Sequence, residues 1–374
     1  MIFGLFGGAQ ATSTTLGAGV GQGFHDYIDF HVEADALGYH STFCVEHHFT
    51  GWTQISATLN LLTWLAARTK KLRVGTAVMV LPWHNPVLLA EQAATLDLLS
   101  GGRLDLGIGK GYRHNEFKGF NVPADEAEAR FDEALDVMIR AWTSTERFSH
   151  HGRFWQFDDI IVEPPAAQKP HPALWMAAGS APSIRKVAER GCNLLLDQFA
   201  QVEVIGERIA LFKQEVEARG RVFDPMSVAV ARDVYVAKDE ADRRNALDRA
   251  ARMRQRTIDV ARTPGQSGGS HVLSYSTSAS GNEAAALCGS PDDIARKLEA
   301  LQAVGVHYLL ASMGGGSRDT LRRFQFARNV IRAAALRARD RAGVQHARRC
   351  ASWRQCARWR GYARQSTFIT ICFY

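Results

Sequence analysis

The chain lacks most features that would set it apart from an ordinary folded protein. No apolar run approaches the roughly 20 residues that a membrane-spanning helix needs. The opening MIFGLFGGAQ has neither a basic stretch nor a long apolar one, so no secretory signal is expected. Six cysteines in 374 residues, with no CxxC pair, exclude a disulfide scaffold and the common zinc patterns. The cysteines read as reduced thiols of a cytoplasmic protein. HExxH, GxxxxGK[ST] and GxGxxG are all absent, which removes the zincin, P-loop and dinucleotide-fold readings. With 46% hydrophobic and 22% charged residues, the composition also excludes wholesale disorder.

Acidic residues are missing from one place. The formal charge is +7, from 45 Lys and Arg against 38 Asp and Glu. Seven arginines (341, 348, 349, 354, 358, 360 and 364) lie beyond residue 340, where there is no Asp or Glu. Residues 1–340 are therefore balanced, and the whole excess belongs to a tail. Residues 1–340 read as one catalytic-size domain and 341–374 as a separate basic segment. The tail mixes Trp353, Trp359 and Tyr362 with arginine and has no clean helix or strand period. A natural extension and a read-through or frame-shifted end both fit it. Its composition is the sole argument for nucleic-acid binding, and none is expected.

What is present is a rhythm. Short apolar runs alternate with amphipathic stretches: IFGLF, then a helix from Gly23; STFCV, then a helix over 55–67; a strand over 72–81, then a helix ending at Gly101-Gly102; RLDLGIG, then a helix over 126–142. The pattern resumes with ALWMAA, CNLLLD, MSVAVARDVYVA and VHYLLAS, each next to a helical stretch. Ser290, Pro291 and two first-turn aspartates mark one helix start. A last helix is expected from about residue 317 to 335. Eight strand-then-helix units in order predict an α/β fold, a (β/α)8 TIM barrel, over an open doubly wound sheet. Two stretches break the rhythm. RFSHHGRFWQFDDIIVEPP reads as a hairpin insertion after the fourth helix. The Gly/Ser-rich segment from Thr263 to Ala285 reads as a long lid-like insertion before the last unit.

In such a barrel the chemistry sits where the strands end. After the second strand comes Glu46-His47-His48-Phe49. Adjacent residues of an extended chain face opposite ways, so both imidazoles do not readily reach one metal ion. One histidine acting as acid/base in the mouth, or a structural histidine, are the readings left. Gly75, Thr76 and Ala77 leave room for a flat ligand. In Gly107-Ile108-Gly109-Lys110-Gly111-Tyr112, glycines allow close backbone approach and Lys110 can meet a phosphate. Gly179-Ser180-Ala181-Pro182-Ser183 opens a helix, where hydroxyls and free N–H groups form an anion seat or a plain N-cap. Gly314-Gly315-Gly316 is a further candidate turn. Phe6, Trp83 and Trp175 are candidate apolar lining or core. No metal site is expected.

These segments, EHHFT, LRVGTAVMVLP, SGGRLDLGIGKGY and AGSAPS, resemble in order and spacing the bacterial luciferase-like family of flavin-dependent monooxygenases. The resemblance implies a TIM barrel that binds reduced FMN, commonly as a homodimer. It implies that a separate NAD(P)H:flavin reductase supplies FMNH2, and that one oxygen atom of O2 passes through a flavin C4a-peroxide to a small apolar organic substrate. By the same resemblance His47 is the catalytic histidine. Ala77-Val78 is a non-prolyl cis peptide under the flavin ring, and Gly109, Lys110, Tyr112, Gly179, Ser180 and Ser183 bind the cofactor. Glu116 matches an acidic residue near the site. Gly109 stands where luciferase has a cysteine, and Gly179 where it has a glutamate, so light emission is not implied. The alternatives are an F420-dependent oxidoreductase on the same barrel and a non-catalytic flavin-binding protein.

Overall fold

Strand pairing closes a ring. A computed structural model describes residues 1–11, 19–261, 284–313 and 321–324 of the chain. In chain order the elements are β1 (Ile2–Gly7), α1 (Gln22–Ala36), β2 (Ser41–Cys44), α2 (Thr58–Arg68), β3 (Arg73–Thr76), β4 (Met79–Val80), α3 (Pro86–Ser100) and β5 (Leu104–Gly109). Next come α4 (His114–Gly119), α5 (Ala127–Thr143), β6 (Phe148–His151), β7 (Gln156–Ile160), β8 (Ala173–Ala177), α6 (Ala181–Glu189), β9 (Asn193–Leu196) and α7 (Val202–Ala218). The last are β10 (Val228–Val236), α8 (Glu240–Ala261), β11 (Leu287–Gly289), α9 (Pro291–Ala303) and β12 (Tyr308–Ser312).

The parallel order β1-β2-β3-β5-β8-β9-β10-β12 returns to β1, through Ile2–Tyr308 to Phe6–Ser312, and so makes an eight-stranded barrel. The predicted TIM barrel is the fold. Alternation along each strand sends every second side chain inward. Phe43, Trp175, Leu195, Ala229, Ala231, Tyr308 and Leu310 meet there as the barrel core. At the strands' N-terminal end, Arg73 donates to both oxygens of Asp105 at 2.8 Å, and the Ser41 and Tyr308 hydroxyls share a hydrogen bond. The C-terminal end is left for the loops.

Helix ends follow the sequence signals. Asn85 caps α3 by accepting from the N–H groups of Val87 and Leu88, and Gly101 ends it in the left-handed region at φ 68°. Ser290 and Asp293 form a capping box on α9. The expected hairpin is β6–β7, antiparallel.

Several expectations change. The third strand, read as one run over 72–81, is two. β3 pairs with β2 and β5, whereas β4 pairs with β5 alone, and the break falls at a cis Ala77-Val78 peptide. α4 was not foreseen as a helix, because six residues carry too little periodicity to register. α8 runs to Ala261, past the expected end at Arg254. The lid-like stretch is described only from residue 284, where Leu287–Gly289 adds a short strand to β10. The remainder of that stretch, Gly314 to Gly316, most of the last helix and the tail lie outside the described residues.

His31 ties α1 to the barrel. Its Nδ1–H donates to the Tyr27 carbonyl at 2.7 Å, and its Nε2 accepts from the Thr42 hydroxyl at 2.9 Å. Burial pushes its pKa down to about 4, only partly opposed by the Tyr27 carbonyl. A folded pKa below the unfolded one means stability that is complete above about 6.5 and lost as the pH falls through about 4. We expect His31→Leu to cost about 1–3 kcal/mol at pH 7. Urea denaturation across pH should show that difference shrinking between pH 6.5 and 4 if the imidazole is the group responsible.

Candidate active site

Two acidic residues organise the end of β2. Glu46 is 1% exposed and its carboxylate takes four donors. Oε1 accepts from His48 Nε2 at 2.8 Å, His84 Nε2 at 2.7 Å and Trp83 Nε1 at 3.3 Å, and Oε2 accepts from the Val80 N–H at 2.8 Å. Burial alone would raise its pKa. The hydrogen bonds from His48, His84 and Val80, with the His84 charge, outweigh burial and hold it at about 2.

Glu116, also 1% exposed, stands on α4 and faces the other histidine. Its Oε1 lies 3.0 Å from His47 Nδ1 and accepts the His48 backbone N–H at 2.9 Å. The adjacent histidines thus turn to different carboxylates, as the alternation of an extended chain requires. Among the described residues no group of three or more His, Cys, Asp or Glu is placed to hold a metal ion.

Burial pushes the His47 pKa down, the Glu116 hydrogen bond pulls it back up, and Arg113 lowers it again. His47 is therefore neutral at pH 7. With Nδ1–H donated to Glu116, Nε2 keeps its lone pair and has no hydrogen-bond partner among the described residues. Asn115 pins the segment by donating to the carbonyls of His48 and Phe49 at 3.2 and 3.3 Å. Trp83 stacks on Phe120 at 5.1 Å and meets Phe117 edge-on at 5.3 Å, forming an aromatic wall beside His48.

Trp175 lies in the barrel core, with Ala77 and Val78 packed against that cluster. Its indole N–H is buried without a partner among the described residues. Gly109 ends β5 beside Val78. A Cβ there would stand 2.6 Å from Val78 Cγ2, so a side chain at this position would force Val78 to shift.

The residues expected to form an anion seat lie around α6. Ser180 caps the helix in a mutual box with Ser183, the two hydroxyls 2.8 Å apart, and Gly179 precedes the cap. Lys110, after β5, binds Glu128 of α5 at 3.0 Å, and Lys186 of α6 binds the same carboxylate. The two lysines hold the Glu128 pKa down at about 2, the Lys186 hydrogen bond being the largest single cause. A cavity of about 280 Å³ opens beside them, lined by Lys110, Tyr112, Phe117 and Glu128. Lys110, Ser180 and Ser183 were legible in sequence. Lys186 and Glu128 were not, because Lys186 in the last turn of α6 and Glu128 in the first turn of α5 each read as ordinary solvated charge at a helix end.

No helix among the described residues is long and apolar enough to cross a membrane. A family model described as "Luciferase-like monooxygenase" matches residues 1–308. The oxygenase component of a flavin-dependent trigonelline monooxygenase from Acinetobacter baylyi is 29% identical over 59% of this chain and 61% of its own length. An FMNH(2)-dependent dimethylsulfone monooxygenase from Pseudomonas putida is 27% identical over 66% of this chain and 70% of its own. The chain spans about three fifths of the length of the curated relatives at the head of this set. Among solved structures, monooxygenase RslO1 from Streptomyces bottropensis superposes with a TM-score of 0.75 at 25% identity, over 87% of this chain and 98% of that one. With the family model covering the barrel from its first strand into its last, the chain belongs to the luciferase-like monooxygenase family.

Proposed function

We propose that the protein is the oxygenase component of a two-component, FMNH2-dependent monooxygenase that places one oxygen atom of O2 on a small organic substrate with an apolar body. One observation carries the reading. One parallel barrel bears, after its strands, both a neutral histidine held by a buried carboxylate and a pair of lysines that share one carboxylate, with a serine-capped helix start after β8.

The donor set fits a flavin phosphate. Glu128 already shows that a carboxylate sits between Lys110 and Lys186, and the α6 N-terminus adds hydroxyls and positive dipole. Ala77, Val78 and Gly109, packed near Trp175, whose N–H has no partner among the described residues, form a small-residue shelf for a flat ring. Tyr112 walls the phosphate side. Bound reduced FMN supplies the activation of O2 and the transfer of oxygen. His47 accepts and returns a proton at Nε2, with Glu116 fixing its tautomer and stabilising the charged form when it arises. The apolar core and aromatic wall keep water out. A separate reductase and a homodimer complete the proposal.

Anaerobic titration with FMNH2 and with reduced F420, followed by mixing with 18O2 and a reductase-coupled substrate panel, tests this reading. Saturable FMNH2 binding and one labelled oxygen per product are expected. Preference for F420, or product without label, would replace it.

Glu128 occupies the lysines that a phosphate would use. Exposed ion pairs are worth about 0.2–1 kcal/mol each, so Glu128→Gln should tighten FMN binding by roughly 3- to 10-fold. Riboflavin, which has no phosphate, should be unaffected. Fluorescence titration of the two flavins separates them, and equal changes for both would remove Lys110 and Lys186 from phosphate binding.

A further inference from the structure

A guanidinium sits largely buried near the C-terminal ends of the strands, with an ion pair but no hydrogen bond among the described residues. Arg254 of α8 is 9% exposed. Among the described residues it makes no hydrogen bond. Asp233 Oδ2 lies 3.9 Å from its Nη2, too far for one, and the Phe199 ring lies beneath the guanidinium at 4.5 Å.

The strands give its place. Asp233 is two residues past Ala231 on β10 and pairs in register with Ser312, two past Leu310 on β12. Both therefore face the barrel interior at its C-terminal end. Phe199 follows β9. In the closed ring β9 lies opposite β2 and β10 opposite β3, so Arg254 looks across the barrel toward the side that carries His47. α8 bridges the two sides. It starts beside β10, where Tyr235 donates to Asp242 at 2.9 Å. Farther along it packs on α4, which carries Glu116, and sets Arg256 over the Trp52 ring at 5.3 Å.

The charged groups around Arg254 sum to +1. Three guanidiniums, Arg208, Arg232 and Arg254, meet two carboxylates, Asp197 and Asp233. Asp197 is engaged, by Arg208 at 2.9 Å and by the N–H groups of Phe199 and Ala200. Arg232 donates to the carbonyls of Asp197, Ala200 and Ala231. Among the described residues Arg254 alone of the three makes no hydrogen bond. The Arg254 nitrogens still reach solvent, so their planar fork is accessible to a ligand, and a carboxylate matches it with two parallel bonds. Phe199 beneath it, and Trp52 farther along α8, offer flat apolar faces for the rest of a ligand.

We infer that Arg254 is a specificity-determining residue that anchors the carboxylate of an organic-acid substrate, whose apolar end then lies toward His47. What is done to that substrate rests on the flavin reading above; the anchoring does not.

The test uses benzoate and its neutral isostere benzamide as probes. Binding to the full chain is followed by calorimetry, beside a separate FMN titration. Benzoate should bind saturably and benzamide should not. Arg254→Gln should weaken benzoate by roughly 10- to 100-fold, the worth of a charge-assisted bond pair. Arg254→Lys should fall between, and Asp233→Asn should tighten binding. Thermal melts of each variant establish that it is folded. FMN affinity should stay constant throughout, and its loss in Arg254→Gln would assign the arginine to the cofactor and overturn the inference. Equal binding of benzoate and benzamide, no saturable benzoate binding, or benzoate binding unaltered in folded Arg254→Gln would overturn it too. Failure of FMNH2 to bind wild type would sink the flavin reading and leave benzoate anchoring to stand or fall alone.

Discussion

His47→Ala should lower turnover by roughly 10²- to 10⁴-fold, the range for removing a positioned acid/base, while reduced-flavin affinity stays unchanged. The imidazole touches Glu116 through one nitrogen only, so its removal deletes a proton carrier without dismantling the fold. The pH profile should carry its signature. Burial holds the His47 pKa below its ordinary 6.5, so the neutral, proton-accepting form persists into mild acid and activity falls only below that value. Glu116 pulls the same pKa upward. Glu116→Gln still accepts the Nδ1–H and the His48 N–H but has lost its charge, and so should move the acid limb of kcat/KM to lower pH. An acid limb that stays put in Glu116→Gln, or full turnover in His47→Ala, would take this pair out of the proton path.

The barrel was legible because its signal repeats. Eight apolar runs, each beside an amphipathic stretch, identify closure even where single boundaries are off by several residues. Pairwise chemistry was legible only where it is local in sequence. Ser180 and Ser183 are three residues apart, the spacing of a cap, and they cap α6. His47 lay in a dense motif. Its partner Glu116 is 69 positions away on a single-turn helix that no periodicity reveals, and only the family resemblance singled it out. Glu46 was read as a neighbour of the histidines. Its hub role needs Trp83 and His84, which come from beyond β4 and stand 37 and 38 positions away in the chain. Lys110 was expected to face a phosphate. It points to Glu128, a carboxylate 18 positions on that Lys186 also binds.

Glu46→Ala should be the most destabilising single change near the site, costing about 3–5 kcal/mol as for other broken buried ion networks. The carboxylate satisfies the Val80 N–H and three ring N–H donors at once, and alanine would leave them facing each other without an acceptor. Glu46→Gln retains oxygen for one or two of these donors but presents N–H groups to the others, so it should fall between. Linkage gives an independent measure of the same interaction. A carboxyl held at about 2 in the folded chain and about 4.5 when unfolded contributes stability that is complete above pH 4.5 and lost as the pH falls toward 2. That gap corresponds to about 3 kcal/mol, in line with the cost of removing the group. Urea denaturation at pH 7 and at several values down to pH 3 should therefore show wild type losing its advantage over Glu46→Ala in that window. A difference at pH 7 within about 0.5 kcal/mol, the level of an ordinary surface substitution, would mean that the four donors find other partners and that Glu46 does not organise the mouth.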